Sequence, residues 1–251
     1  MKRLLAAASL ALLFQLTSIG QQPEHVLSGI GAPRSVLSVL EAARVSASIQ
    51  YDADHYNNVE CAPDILTPDF PRILELQKPY PANPVDAVRT MFSLDGRFAV
   101  SEGSNGIIRV VEPEVHTDIL GVRIAHLSFD EIIDPEHALN IVLGAPEVQS
   151  FMQAHGIEVL SYMQAHGYDF AVGAAEPLGR KHVPPGPGVK SISGELNDVT
   201  LSDALDYILK TFPGFWLYQD CETRDERVVY FTLFPAPGRM WARKDEHTSV
   251  R

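Results

Sequence analysis

The sequence predicts an α+β fold made of two small, related α/β modules. Two segments start a helix in the same way. Asn83-Pro84-Val85-Asp86 supplies an N-cap Asn, a proline at the first helical position and an acid in the first turn. Thr200-Leu201-Ser202-Asp203 supplies an N-cap Thr with an acid three residues on, the layout of a capping box. Apolar residues then follow in step. Ala87, Val88, Met91 and Phe92 match Ala204, Leu205, Ile208 and Leu209, and this spacing lies on one face of a helix. Both helices run into glycine-marked stops, Asp95-Gly96 and Pro213-Gly214, and then into the signals of a hairpin. A helix plus hairpin found twice is a repeated supersecondary unit.

Taken in order, residues 35–47 carry Val36, Leu37, Leu40, Ala43 and Ala47 at helical spacing, and Ile49-Gln50-Tyr51 reads as the strand after them. Ile73-Leu74-Glu75-Leu76 reads as a second strand. The helix from Asn83 follows, then Phe98-Ala99-Val100, a polar turn through Gly103-Ser104-Asn105-Gly106, and Ile107-Ile108-Arg109-Val110-Val111. Residues 120–129 read as a strand and 135–143 as a helix. Phe151-Met152-Gln153-Ala154-His155-Gly156 recurs as Tyr162-Met163-Gln164-Ala165-His166-Gly167, which reads as a small helical hairpin or a helix broken at Gly156. Residues 173–188 are rich in Gly and Pro and read as a loop. Residues 189–196 read as a strand, and the helix from Thr200 leads to the hairpin of Phe215-Trp216-Leu217-Tyr218 with 228–233. The expected organisation is residues 1–20 as a signal peptide, 21–32 as an N-terminal segment and 33–113 as the first module. The second module covers 114–235, with a helical insertion at 144–172, and 236–251 form a flexible tail.

The helix and strand at 35–51, Asn83-Pro84-Val85-Asp86-Ala87-Val88, Gly96-Arg97-Phe98 and 106–113 resemble the short N-terminal signalling (STN) domain of secretins and TonB-dependent receptors. Residues 193–205 resemble the same motif again. The resemblance implies modules of αββαββ order and a role in protein–protein contact at the cell envelope. In that family the domain precedes an outer-membrane barrel or pore. The 251 residues here leave no room for one, so the expectation is a protein that reuses the module without barrel or pore.

Met1-Lys2-Arg3, an apolar run over 4–16 and the small residues Ser18 and Gly20 have the layout of a secretory signal peptide cut before Gln21. The run is too short to span a bilayer, which takes about 20 apolar residues. The expected location is therefore periplasmic or secreted, with no transmembrane segment in the mature chain. Hydrophobic residues make up 45% and charged residues 21%, which excludes overall disorder. Asp and Glu number 32 against 20 Lys and Arg, a formal net charge of −12. An acidic chain without a basic stripe is a poor nucleic-acid binder, because phosphate contacts need Lys and Arg. Two cysteines, Cys61 and Cys221, exclude a disulfide-rich scaffold. In an oxidising compartment they either pair, closing a long loop worth at most about 5 kcal/mol, or stand as two unrelated thiols.

The sequence holds no His-Glu-x-x-His, nucleophile elbow, phosphate loop or dinucleotide fingerprint. The polar stretch 52–60 fails the EF-hand pattern, with Asn57 where glycine is required. No catalytic residue, cofactor or metal site is assigned. The reading is an exported, non-enzymatic protein whose partner is an unidentified envelope protein. Two alternatives are a periplasmic binder of a small ligand or metal through 52–60, and a hydrolase with a dispersed site. The expected interaction surface is the sheet edge or exposed aromatic face of the second hairpin, formed by Phe215, Trp216, Tyr218 and Tyr230.

Overall fold

A computed structural model describes residues 25–28, 31–52, 70–103, 105–161, 190–222 and 227–236. The expected signal peptide at 1–20, Cys61, all of 52–60 beyond Asp52, the second copy of the duplication at 162–167, the expected loop at 173–188 and the residues beyond Ala236 lie outside them.

The chain opens with a short strand β1 (Val26–Leu27), helix α1 (Gly31–Ala43), β2 (Ala47–Asp52) and β3 (Ile73–Leu74). Helix α2 (Pro84–Met91) starts where the cap predicts, with Asn83 Oδ1 accepting the Val85 N–H at 2.9 Å. The hairpin β4 (Ala99–Glu102) and β5 (Ile108–Val111) completes the first unit. The second holds β6 (Arg123–Ile132), α3 (Pro135–Leu143), α4 (Pro146–His155), β7 (Ile157–Ser161), β8 (Ile192–Thr200), α5 (Leu201–Thr211) and the hairpin β9 (Gly214–Glu222) and β10 (Arg227–Pro235). Thr200 and Asp203 form the reciprocal capping box. Helices and strands are both abundant and the sheet is mixed, so the fold is α+β.

The region read as a helical insertion is built differently. Gly156 takes the left-handed conformation at φ 62° and donates its N–H to Met152 O, which ends α4. Ile157-Glu158-Val159-Leu160-Ser161 then runs as a sheet strand parallel to β10. Thus α4 and β7 follow one another as α1 and β2 do. The short ribbon β1–β3 likewise has its counterpart in the longer ribbon β6–β8. Both units therefore run β-α-β-β-α-β-β, and α3 is the element added to the second.

Among the described residues, six strands make one sheet in the order β4-β5-β2-β9-β10-β7. The order is the same triplet twice: the two hairpin strands, then the strand after the first helix. β2, β5 and β9 run one way and β4, β10 and β7 the other. The two cores lie on opposite faces. Ala47, Ile49, Phe215 and Leu217 pack with Val36, Leu40, Val88 and Met91 of α1 and α2. Trp216, Tyr218, Val229 and Phe231 pack with Leu139, Val148, Leu205 and Ile208 of α3, α4 and α5 and with the β6–β8 ribbon. Reversed strands and a swapped face, with lateral order kept, define the relation between the units. It is a half turn about the line across the sheet, combined with a step of three strands.

Candidate functional site

Two places follow from this topology: the junction where the units meet, and the two ends of the sheet. At the junction β2 and β9 pair in parallel from Ala47 with Phe215 to Asp52 with Asp220. Side chains on the second unit's face include Ser48 and Arg109 from the first unit, because alternate strand residues face opposite ways. Helix α5 brings Asp206, 2% exposed, over them. Asp206 Oδ1 accepts from Trp216 Nε1 at 2.8 Å and from Arg109 Nη1 at 3.1 Å. Its Oδ2 accepts from Asn105 Nδ2 at 2.5 Å and from Arg109 Nη2. Arg109 also donates to Ser48 Oγ at 2.9 Å. Four N–H groups thus surround one buried carboxylate, and three of them come from the first unit. The bidentate guanidinium geometry is the strong form of such a pair.

A second cluster ties the segment between the units to the same face. Arg227 donates through Nε to Asp220 Oδ1 at 2.9 Å and through Nη2 to Asp118 Oδ1 at 2.8 Å. Tyr218 donates its hydroxyl to His116 O at 2.7 Å. The Arg227 hydrogen bond holds Asp118 below the usual carboxylate range. Burial pushes Asp220 above it, against the pull of Arg227. Burial also raises the Tyr218 phenol. Buried Glu112 accepts the Asp52 N–H at 2.9 Å and lies 3.2 Å from Arg97. These groups join chain segments far apart in sequence.

The aromatic surface expected from the sequence is core. Phe215, Trp216 and Tyr218 have no exposed surface, and Tyr230 retains 7%. The reason is the position of β9. It lies third from the β7 end, hydrogen-bonded by β2 on one side and β10 on the other, with a helical layer on each face. Its edge is closed by a strand of the other unit, which local sequence does not reveal. Cys221, on the same strand, is buried and disulfide-bonded. Asp134 caps α3 by accepting the Glu136 N–H at 2.9 Å. Among the described residues, no group of three or more His, Cys, Asp or Glu is placed to hold a metal ion, and no helix is long and apolar enough to cross a membrane.

The ends of the sheet are β4 and β7, each with one strand neighbour among the described residues. Hydrogen-bond parity fixes which backbone groups they present. Ile108 and Glu112 donate their N–H to Ser46 O and Gln50 O, so residues 108, 110 and 112 face β2. Val100, opposite Val110, and Glu102, opposite Ile108, therefore turn their backbone groups outward from β4. Arg89 reaches the Val100 carbonyl at 3.2 Å. At the other end the Ala236 N–H donates to Pro213 O, so 228, 230, 232 and 234 face β9 while 227, 229 and 231 face β7. These last bond to 158 and 160, which leaves the backbone groups of Ile157, Val159 and Ser161 directed away from the sheet. The signal for β7 is present in the sequence, as a β-branched run bounded by Gly156. The likeness of 151–156 to 162–167 points instead to a helical repeat. In comparisons with known proteins the chain matches no family model, no curated protein and no solved structure.

Proposed function

We propose that this is an exported, non-enzymatic protein of the cell envelope that works by binding another protein through the β7 end of its sheet. The observation that carries the reading is the outward row of backbone groups at Ile157, Val159 and Ser161, on a strand anchored by five pairs to β10. A strand held on one side offers its other side as a template for strand addition, with backbone bonds for affinity and alternate side chains for selectivity. The polar clusters at the junction support a structural role, since their carboxylates are taken up by Arg109, Trp216, Asn105 and Arg227. The signal-peptide layout of 1–20 and the resemblance to STN domains support the envelope location.

The test uses the mature protein as bait in envelope extracts, beside Val159→Pro. Proline at this position removes an outward N–H and leaves the bonds to β10 intact. The expected result is a captured protein lost with the variant, while the melting midpoint changes little. Capture that survives the substitution would place the binding surface elsewhere. N-terminal sequencing of native protein should begin near Gln21.

A further inference from the structure

The junction inside the chain is itself a docked pair of sheet ends, and it shows which kind of strand the ends at β4 and β7 accept. The half turn and three-strand step that carry the first unit onto the second carry β2 onto β7 and β4 onto β9. β2 and β9 pair in parallel within the chain. We infer that the β7 end binds a second copy of this chain, through parallel pairing of its β7 with the partner's β4. This rests on the reading of β7 as the working edge and names its occupant.

Three features of the internal junction recur at the ends. First, β4 turns outward the backbone groups of Val100 and Glu102, and β7 those of Ile157, Val159 and Ser161, so each end has donors and acceptors for the other. Secondly, the helices do not collide. At β2 and β9 the helical layers lie on opposite faces of the sheet, α1 and α2 on one and α3 to α5 on the other. Pairing β7 with the next β4 repeats that alternation. Thirdly, strand direction agrees. Two applications of the half turn restore the original direction, so the operator between copies is a step of six strands, roughly 29 Å at 4.8 Å per strand. Such a head-to-tail contact does not close on itself, and the product is an open row of molecules. The Arg89 contact to the Val100 carbonyl occupies one outward acceptor of β4 and must shift for pairing, which keeps the contact weak and concentration-dependent.

The experiment is sedimentation velocity of the mature protein over a concentration series, with two variants. Val159→Pro blocks the β7 end and Glu102→Pro the β4 end, each at an outward N–H. Wild type is expected to grow through dimers to longer species as concentration rises. Each variant alone stays monomeric. An equimolar mixture of the two gives dimers and nothing larger, because one carries a free β4 and the other a free β7. A variant that still dimerises alone would show a symmetric contact and overturn the inference, as would a wild type that stays monomeric throughout. Amide hydrogen exchange needs no variant. The amides of Ile157, Val159 and Ser161 gain protection at high concentration, while those of Glu158 and Leu160 stay protected at all concentrations; unchanged exchange at the first three would refute self-pairing. If wild type is monomeric yet Val159→Pro abolishes capture of an envelope protein, self-pairing fails and the edge reading stands. If neither effect is seen, both fail.

Discussion

Asp206 shows how one side chain can join two halves of a chain. It sits on the apolar face of α5, between Leu205 and Tyr207, and meets Arg109, Asn105 and Trp216. Taking out one partner of a buried ion pair leaves the other charge and its donors unsatisfied, which costs about 3–5 kcal/mol. Asp206→Ala is therefore expected to lower the unfolding free energy by about 3 kcal/mol or more in a denaturant titration. Asp206→Leu combined with Arg109→Met should recover part of that loss, since no charge is left unpaired, while the buried Trp216 Nε1 still lacks its acceptor. Asp118 is a milder case at the surface. Its folded-state pKa is lowered by Arg227, so its contribution is present above the unfolded value near pH 4 and fades as pH falls through the lowered folded value. Asp118 is about half exposed, and solvent screening limits the effect. Asp118→Asn should cost about 0.5 kcal/mol at pH 7, and the gap from wild type should close as the pH of the melt is brought below 4.

Among elements, the helices with explicit start signals are those that sequence places best. The predicted N-caps at Asn83 and Thr200 each accept a backbone N–H of the first turn, because capping depends on neighbours within three residues. Thr200→Ala should lower stability by about 1 kcal/mol, and Thr200→Ser, which keeps the hydroxyl, by much less; chemical denaturation with both variants checks this. Helix α1 starts four residues before the predicted Ser35, since Ala32 and Pro33 are drawn into the first core. The harder cases are strands. Phe215, Trp216 and Tyr218 have the composition of any strand with one open face, and their burial is decided by β2, far away in sequence. The likeness of 151–156 to 162–167 predicts helix where β7 lies, yet Gly156 and the β-branched Ile157 and Val159 carry the strand signal. The strand β7 is therefore legible in the sequence, while the closing of β9 by β2 is not. Gly214 is a further local constraint. At φ 155° a Cβ there would lie 2.0 Å from Phe234 O, so the start of β9 tolerates no side chain.

At the scale of the whole molecule, β9 belongs to both units. Phe215 and Leu217 lie in the core under α1 and α2, while Trp216 and Tyr218 lie in the core under α3 to α5. The same strand donates to both neighbours in one sheet, and Asp206 adds a buried polar link across the seam. A chain assembled this way has no plane along which its halves part without exposing apolar surface and an open strand. Each buried aromatic of Phe215 type, left facing water, forfeits about 2–3 kcal/mol of burial, a large part of the 5–15 kcal/mol that holds a domain folded. The protein should therefore melt in one transition, with calorimetric and van't Hoff enthalpies in agreement. A fragment covering 114–251 should fail to reach that state by itself. It would expose Phe215, Leu217 and the β9 edge, and it would leave Asp206 without Arg109 and Asn105. Such a fragment should show helical circular dichroism without the sharp aromatic signals of a packed core, and it should aggregate through β9. Adding the separate 21–113 fragment should restore the packed state, because the missing β2 then returns to its place. Two well-resolved transitions in the intact protein, or a fragment as stable as the whole, would mean that the units fold independently and that the seam at β2 and β9 is a contact between finished domains.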